Sequence, residues 1–378
     1  MAYLTGVAVT AFGKHAGKGP VDLMEAAALA AIADAGLPRE AVDGLVCGYA
    51  TTYPHLMMGT VVSERLGLKL KHAHEARCGG ATGAMAIVLA RHLIAAGACR
   101  NVLVVGGENR LTGQSRDDAV KTLAGVGHPE HEVPLGASIP AYYALLAARY
   151  LHETGATEAE LAELAVLMRR HATAHPGAQL TRPITIDDVM ASKPIAAPLK
   201  FLDCCPISDG AAAVVLSAEP SQRAAVRLAG WGEAHTHQHI SEMPDDLGLG
   251  AKIAARQAFE TAGRKPSDMR LAGIYDSFTP TLAIFLEALG FAPAGAAGKA
   301  AREGRFGRDG ALPLNLHGGL LSYGHCGVAG FLAHVVEVVR QMRGEAGDRQ
   351  VRDAPLAYCH ADGGVLSSHV GLVLERTA

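Results

Sequence analysis

The chain has 378 residues, 49% apolar and 19% charged, enough for two or three globular units with a large core at ~150 residues per domain. Lys and Arg number 34 against 37 Asp and Glu, a net charge of -3, so no basic surplus exists to hold phosphate backbones or acidic lipids. Nucleic acid and membrane are therefore not expected as partners, and 7 cysteines without a CxxC pair exclude a disulfide framework.

Short apolar strands alternate with Ala-rich helices, the pattern of a mostly parallel sheet covered by helices, so the expected fold class is α/β. In chain order, strands are expected at 4–9, 44–46, 102–105, 212–216, 272–275, 356–359 and 370–374. Helices are expected at 21–35, 84–96, 253–262 and 331–340. Ala30-Ala31-Ile32-Ala33-Asp34-Ala35-Gly36 is matched by Ala258-Phe259-Glu260-Thr261-Ala262-Gly263, each a helix closed by Gly and followed by a strand, which points to two related halves. Residues 1–108 with 200–222 form one half and 223–378 the other. Between them, 109–199 is rich in helix formers and broken by prolines, an insert placed to shape a substrate site. No apolar run reaches the ~18 residues of a membrane span, and Met1 to Leu4 lack the features of a signal peptide, so a cytoplasmic protein is expected.

Two segments carry chemistry. Cys78-Gly79-Gly80-Ala81-Thr82-Gly83 runs into a helix, where free amides and the positive helix end stabilise a thiolate. Taken alone, the same pattern equally fits a buried structural cysteine. Asn315 to Gly330 also opens a helix and sets His317 and His325 among glycines, leaving ring nitrogens open to a bound acyl group, as a general base requires. No metal is expected there, since no carboxylate or thiolate follows at ligand spacing, and the remaining His-rich pieces (72–74, 128–131, 235–239) read as solvated loops. Val104-Val105-Gly106-Gly107-Glu108 is not a dinucleotide-binding turn.

With Leu202 to Ala213, Tyr275-Asp276-Ser277-Phe278 and Ala361-Asp362-Gly363-Gly364, these stretches resemble the thiolase superfamily, in its branch of sterol-carrier-protein-thiolase-like and lipid-transfer proteins. The resemblance implies two five-stranded halves in α-β-α-β-α layers, an inserted loop domain that helps bind coenzyme A, and a homodimer or larger assembly pairing near 102–105. It makes Cys78 the acyl-accepting nucleophile, His325 the base that activates it, and His317 a neighbour of the oxyanion hole. Two departures stand out. Aligning Gly363-Gly364 with the Cys-x-Gly-Gly loop of typical thiolases puts His360 where the second cysteine belongs, and the His-Asp-Cys-Phe motif of sterol carrier thiolases here reads Tyr-Asp-Ser-Phe.

Cys326, Tyr275, Tyr323 and His360 are thus the candidates for the missing acid/base. The expected activity is acyl transfer from a coenzyme A thioester through an acyl-Cys78 intermediate, with coenzyme A thioester as substrate and no permanently bound cofactor. The alternatives are retro-aldol cleavage of a β-hydroxyacyl-CoA with tyrosines moving the protons, or a non-catalytic acyl-CoA-binding subunit. The resemblance also implies a small OB-fold, zinc-ribbon acyl-CoA-binding partner.

Overall fold

The computed structural model describes residues 1–221 and 224–377, so the expected boundary between 222 and 223 lies outside the described residues. The main sheet contains β1 (Tyr3–Val9), β2 (Gly44–Gly48), β3 (His72–Ala76), β4 (Asn101–Asn109), β5 (Asp209–Ser217), β6 (Ala225–His235), β7 (Leu271–Ile274), β8 (Leu356–Gly363) and β9 (Ser368–Thr377). The principal helices are α1 (Pro20–Asp34), α2 (Met58–Arg65), α3 (Thr82–Ala95), α4 (Ile139–Thr154), α5 (Glu158–Thr173), α6 (Leu249–Ala262), α7 (Thr279–Ala288) and α8 (Val328–Arg343).

The strand order is β3-β2-β4-β5-β1-β6-β9-β8-β7, and it is a duplication. In the first half β2 runs parallel to β3 and β4, while β5 is antiparallel to β4 and β1. In the second, β7 is parallel to β8, and β9 is antiparallel to β8 and β6. The counterpart of β3 shrinks to one parallel bridge between Ala272 and Leu314. The halves join where Tyr3 pairs with Arg227.

The sheet is therefore mixed, not mostly parallel as expected. Parallel neighbours need a helical crossover, which α2 and α3 supply, whereas β8 and β9 are joined by a short turn and can only run antiparallel. Strand β3, His-Ala-His-Glu-Ala, carries no apolar pattern because it is a partly exposed edge, and its strand character is missing from the sequence signal.

Side-chain alternation builds the layers. Leu103, Val105, Ala213 and Val215 pack with Leu23, Ile32 and Val62 of α1 and α2, while Val102, Val104, Ala212 and Val214 face the central core shared with α3 and α8. Helix α6 covers the second half from outside. The repeated helix motif follows from close approach. A Cβ on Gly6 would meet the Ala31 carbonyl, and one on Gly230 would meet the Ala258 carbonyl, the matching residues of the repeat.

Between β4 and β5 the chain is mainly helical, with α4 and α5 as its longest pieces. The expected role of 102–105 in subunit pairing is corrected here. These residues lie inside β4, hydrogen-bonded to β2 on one side and β5 on the other, so they have no free edge; the open edge of this half is β3. Among the described residues no helix is long and apolar enough to cross a membrane.

Candidate active site

Strand β3 ends at Ala76, and the turn 77–81 delivers the chain into α3. Thr82, the first residue of that helix, holds the turn from within. Its Oγ1 accepts from the Cys78 amide (2.8 Å) and donates to the Gly79 carbonyl (2.7 Å). The turn is packed against the end of β8, for a Cβ on Gly363 would collide with the Cys78 carbonyl. A Cβ on Gly80 would collide with both the Tyr275 hydroxyl and the Asp362 carbonyl. Cys78, Tyr275 and Asp362 therefore converge on one bend of backbone, although Cys78 lies nearly 200 residues or more from the other two in sequence.

His325 reaches the same place from the loop before α8. Its backbone is clamped by the segment after Cys205: its amide donates to the Pro206 carbonyl (3.1 Å) and to Ser208 Oγ (3.0 Å), and the Ser208 amide donates to its carbonyl (3.1 Å). The Leu202 to Ala213 stretch is thus the holder of His325. Its Nδ1 accepts from the Gly327 amide (3.2 Å), which leaves the proton of the neutral ring on Nε2, and Nε2 lies 2.8 Å from the Tyr275 hydroxyl. Burial, with Arg110 adding, pushes the imidazole down to about 3, so it stays neutral. Tyr275 is held above the ordinary phenol range by burial and by the charge of Asp362.

Cys78 is partly exposed. Burial pushes its thiol up, the hydroxyl of Ser368 draws it down, and Glu233 and Asp362 push it up further. The expected lowering by the helix end is outweighed, because the thiol sits beside acidic groups at a desolvated turn.

Several expected participants are placed elsewhere. His317 is buried between Tyr323 (ring centroids 5.2 Å) and His334 (4.6 Å), and neither ring nitrogen has a hydrogen-bond partner; it fills space behind Asp276, which lies 3.1 Å from His334 Nε2 and accepts from the Leu320 amide (2.7 Å). Tyr323 spends its hydroxyl on the Thr10 carbonyl (3.0 Å) and packs edge-on against Phe12. Cys326 is wholly buried, its thiol held protonated by burial and by Glu108. His360 lies between Tyr358 Oη and His369 Nδ1, both at 3.2 Å, buried under α7 against Phe285. Counting back from Gly363-Gly364 through Cys-x-Gly-Gly reaches Ala361, whose methyl is buried, so the expected use of His360 at that position is also corrected.

The structure adds a residue that sequence reasoning did not select. Tyr143, on α4 of the insert, stacks on Phe278 (4.4 Å) and places its hydroxyl 3.0 Å from Asp362 Oδ2. No motif marks it; only its position on the buried face of an insert helix does. Among the described residues no group of three or more His, Cys, Asp or Glu side chains is arranged to hold a metal ion.

Two family models match the chain: the thiolase N-terminal domain over residues 2–220 and the thiolase C-terminal domain-like model over 232–376. The chain is 31% identical to an acetyl-CoA acetyltransferase of Methanothermobacter thermautotrophicus over 95% of each protein. It is 33% identical to the benzoylsuccinyl-CoA thiolase subunit BbsB of Thauera aromatica over 96% of this chain and 94% of that one. Among solved structures it superposes on the Ltp2-ChsH2(DUF35) aldolase with a TM-score of 0.87 at 31% identity, covering 99% of this chain and 97% of that one.

Proposed function

The chain belongs to the thiolase family and is an enzyme acting on coenzyme A thioesters, and from that premise we propose that it cleaves the bond between the α- and β-carbons of an acyl-CoA, with Cys78 taking up the acyl fragment. The observation that carries this reading is the convergence of Cys78, Tyr275 and His325 at one bend that the glycines at 79, 80 and 363 keep open to close approach. The sulfur attacks the β-carbonyl carbon. The Tyr275 hydroxyl, accepting from His325 Nε2, has its own proton free to point at the oxygen that becomes negative, an arrangement of fixed donors that accounts for much of such catalysis. A neutral imidazole held at about 3 is a poor base, so His325 serves here as a donor behind Tyr275, not as the group that deprotonates Cys78.

Intact-mass measurement after mixing with a 3-oxoacyl-CoA tests the proposal. A mass increase equal to the acyl fragment, mapped to Cys78 and absent in Cys78→Ala, is expected; no adduct in the wild type overturns it.

The Tyr275–His325 pair and the likeness to the Ltp2-ChsH2(DUF35) aldolase favour a second reading, retro-aldol cleavage of a β-hydroxyacyl-CoA without a covalent step. Cleavage that survives Cys78→Ala selects it. The Thauera relative is a subunit, and this chain too is proposed to work as a homodimer with a small acyl-CoA-binding partner of OB-fold and zinc-ribbon type. Full turnover by the purified chain alone would remove the partner from the reading.

A further inference from the structure

Arg110 stands one residue past the end of β4, only 7% exposed, and the scheme above gives it no work. One edge of its guanidinium is anchored. Nε donates to Thr51 Oγ1 (2.9 Å) and lies 3.2 Å from Glu108 Oε2. Glu108 in turn spreads its charge over other donors, because its two oxygens also take the amides and hydroxyls of Thr51 and Thr52 and the amide of Asn109. Arg110 Nη1 and Nη2 have no hydrogen-bond partner among the described residues, yet neither is one of the sealed side-chain atoms left without a partner, so both meet open space. A guanidinium fixed by its stem, with four N–H groups unspent, is a fork presented to an acceptor from outside the chain.

The open edge borders the reacting region. A Cβ on Gly327 would sit 3.4 Å from Arg110 Nη2, and the Gly327 amide is the group that donates to His325 Nδ1, so the fork lies against the loop carrying the His325–Tyr275 pair. Bare backbone at 327 leaves Nη2 uncovered. The sheet brings in Cys78 from the other side: β3, β2 and β4 are successive parallel strands, roughly 4.8 Å apart, and their carboxyl ends lead to Cys78, Tyr49 and Arg110 in that order. Such ends are where α/β sheets seat their ligands. Strand β4 also runs on past its last pairing with β2 at Val105, and Thr51 follows it out to hold Arg110. The fork is thereby set off along the strand from the thiol, at the far end of an acyl chain and away from the carbon that reacts. Its positive charge is felt at His325, Tyr275 and Tyr49 alike.

We propose that Arg110 determines specificity by taking a carboxylate at the far end of the substrate's acyl chain, which makes the substrate class a dicarboxylic acyl-CoA. This rests on the reading that the acyl chain is seated at Cys78. The planar fork matches the two oxygens of a carboxylate and can engage both at once. Burial strengthens the pair beyond what an exposed arginine offers, since little water competes for either partner. The same burial works against a chain that ends in a methyl group. Such a chain strips the guanidinium of water and gives no acceptor in return, so discrimination comes from the loss with the wrong ligand as well as the gain with the right one.

The test compares adipyl-CoA with hexanoyl-CoA, which differ only by a carboxylate against a methyl at the chain end, and with free coenzyme A, by calorimetry on the full chain. The wild type is expected to bind adipyl-CoA about 10–100-fold more tightly than hexanoyl-CoA, the worth of a charge-assisted pair. Arg110→Met, which keeps an unbranched stem and removes the charge, is expected to erase that preference by weakening adipyl-CoA alone, and Arg110→Lys to restore part of it. Equal affinity of the wild type for the two thioesters overturns the proposal with no variant needed, so a failure of Arg110→Met to fold does not shelter it. An equal loss for all three ligands in the folded variant also overturns it, because the coenzyme's phosphates and not an acyl carboxylate would then be the acceptor. The underlying reading is checked apart from this, by intact mass after mixing the wild type with 3-oxoadipyl-CoA, where a succinyl fragment on Cys78 is expected. A preference for adipyl-CoA without that adduct fails the acyl-Cys78 reading and leaves the carboxylate site standing.

Discussion

Cys78 differs from the other six cysteines by where it stands more than by its acidity. Cys47 and Cys359 are sealed in strands and pushed up to about 12 by burial, and Cys326 is sealed before α8; Cys204 and Cys205 are partly exposed like Cys78 but are pushed up by burial, Cys204 to about 12, whereas Cys78 stands at the turn before α3 with a hydroxyl that draws its thiol down. Iodoacetamide mapped by peptide mass at neutral pH is expected to label Cys78 faster than Cys47 and Cys99; equal rates would remove it as nucleophile. Tyr275 offers a cleaner test of the donor role, since Tyr275→Phe keeps the ring that fills the site and removes only the hydroxyl. A loss of about 10²–10³-fold in kcat is expected, with the melting temperature little changed, as for removal of one donor to a developing oxyanion.

The segments that make the site are held by backbone contact. Gly80 and Gly363 let the Cys78 turn and the end of β8 touch main chain to main chain, which seats the end of a second-half strand against the nucleophile's turn in the first half. Gly80→Ala would drive a methyl into the Tyr275 hydroxyl and the Asp362 carbonyl. It is expected to cost about 1–3 kcal/mol in denaturant unfolding and to reduce activity far more than that loss of stability accounts for. An activity equal to wild type would show that the turn and β8 separate freely. The helix repeat obeys the same logic in a structural role: Gly6 under Ala31 and Gly230 under Ala258 are why the two helix sequences match.

The two halves also share a store of buried neutral imidazoles. His171, His175 and His369 are pushed down to about 4, and His325 to about 3, mainly by burial. Their folded values lie below that of an unfolded histidine, so as pH falls below about 6.5 the unfolded chain takes up protons that the folded one refuses, and stability is lost progressively toward pH 4. Each such histidine contributes roughly 3 kcal/mol of that loss. Asp276 and Asp362, raised by burial, act with the opposite sign, since their folded forms keep protons that the unfolded chain releases. The net expectation is a marked fall in urea midpoint between pH 7 and 5; a flat midpoint would mean that these rings reach solvent. For assembly, the open edge at β3 is where a second sheet can add, and charged substitutions in the strand His72–Ala76, followed by light scattering, are expected to yield monomers from any dimer that forms there.

Local chemistry in the sequence was enough for much of this protein. Apolar runs bounded by glycine marked most strands, Ala-rich periods marked the long helices, and the two glycine-rich loops marked Cys78 and His325, because each of these signals is written in residues a few positions apart. Long-range geometry decided the rest. Residue types do not reveal that β3 is an edge, that 102–105 is enclosed on both sides, or that His317, Tyr323 and His360 turn away into the core. Nor do they reveal that Tyr143 and Asp362, 219 positions apart, are hydrogen-bonded to each other. Which ring faces the site and which fills the core depends on how two duplicated half-sheets close on a shared layer of helices, and that packing exists only once the whole chain has folded.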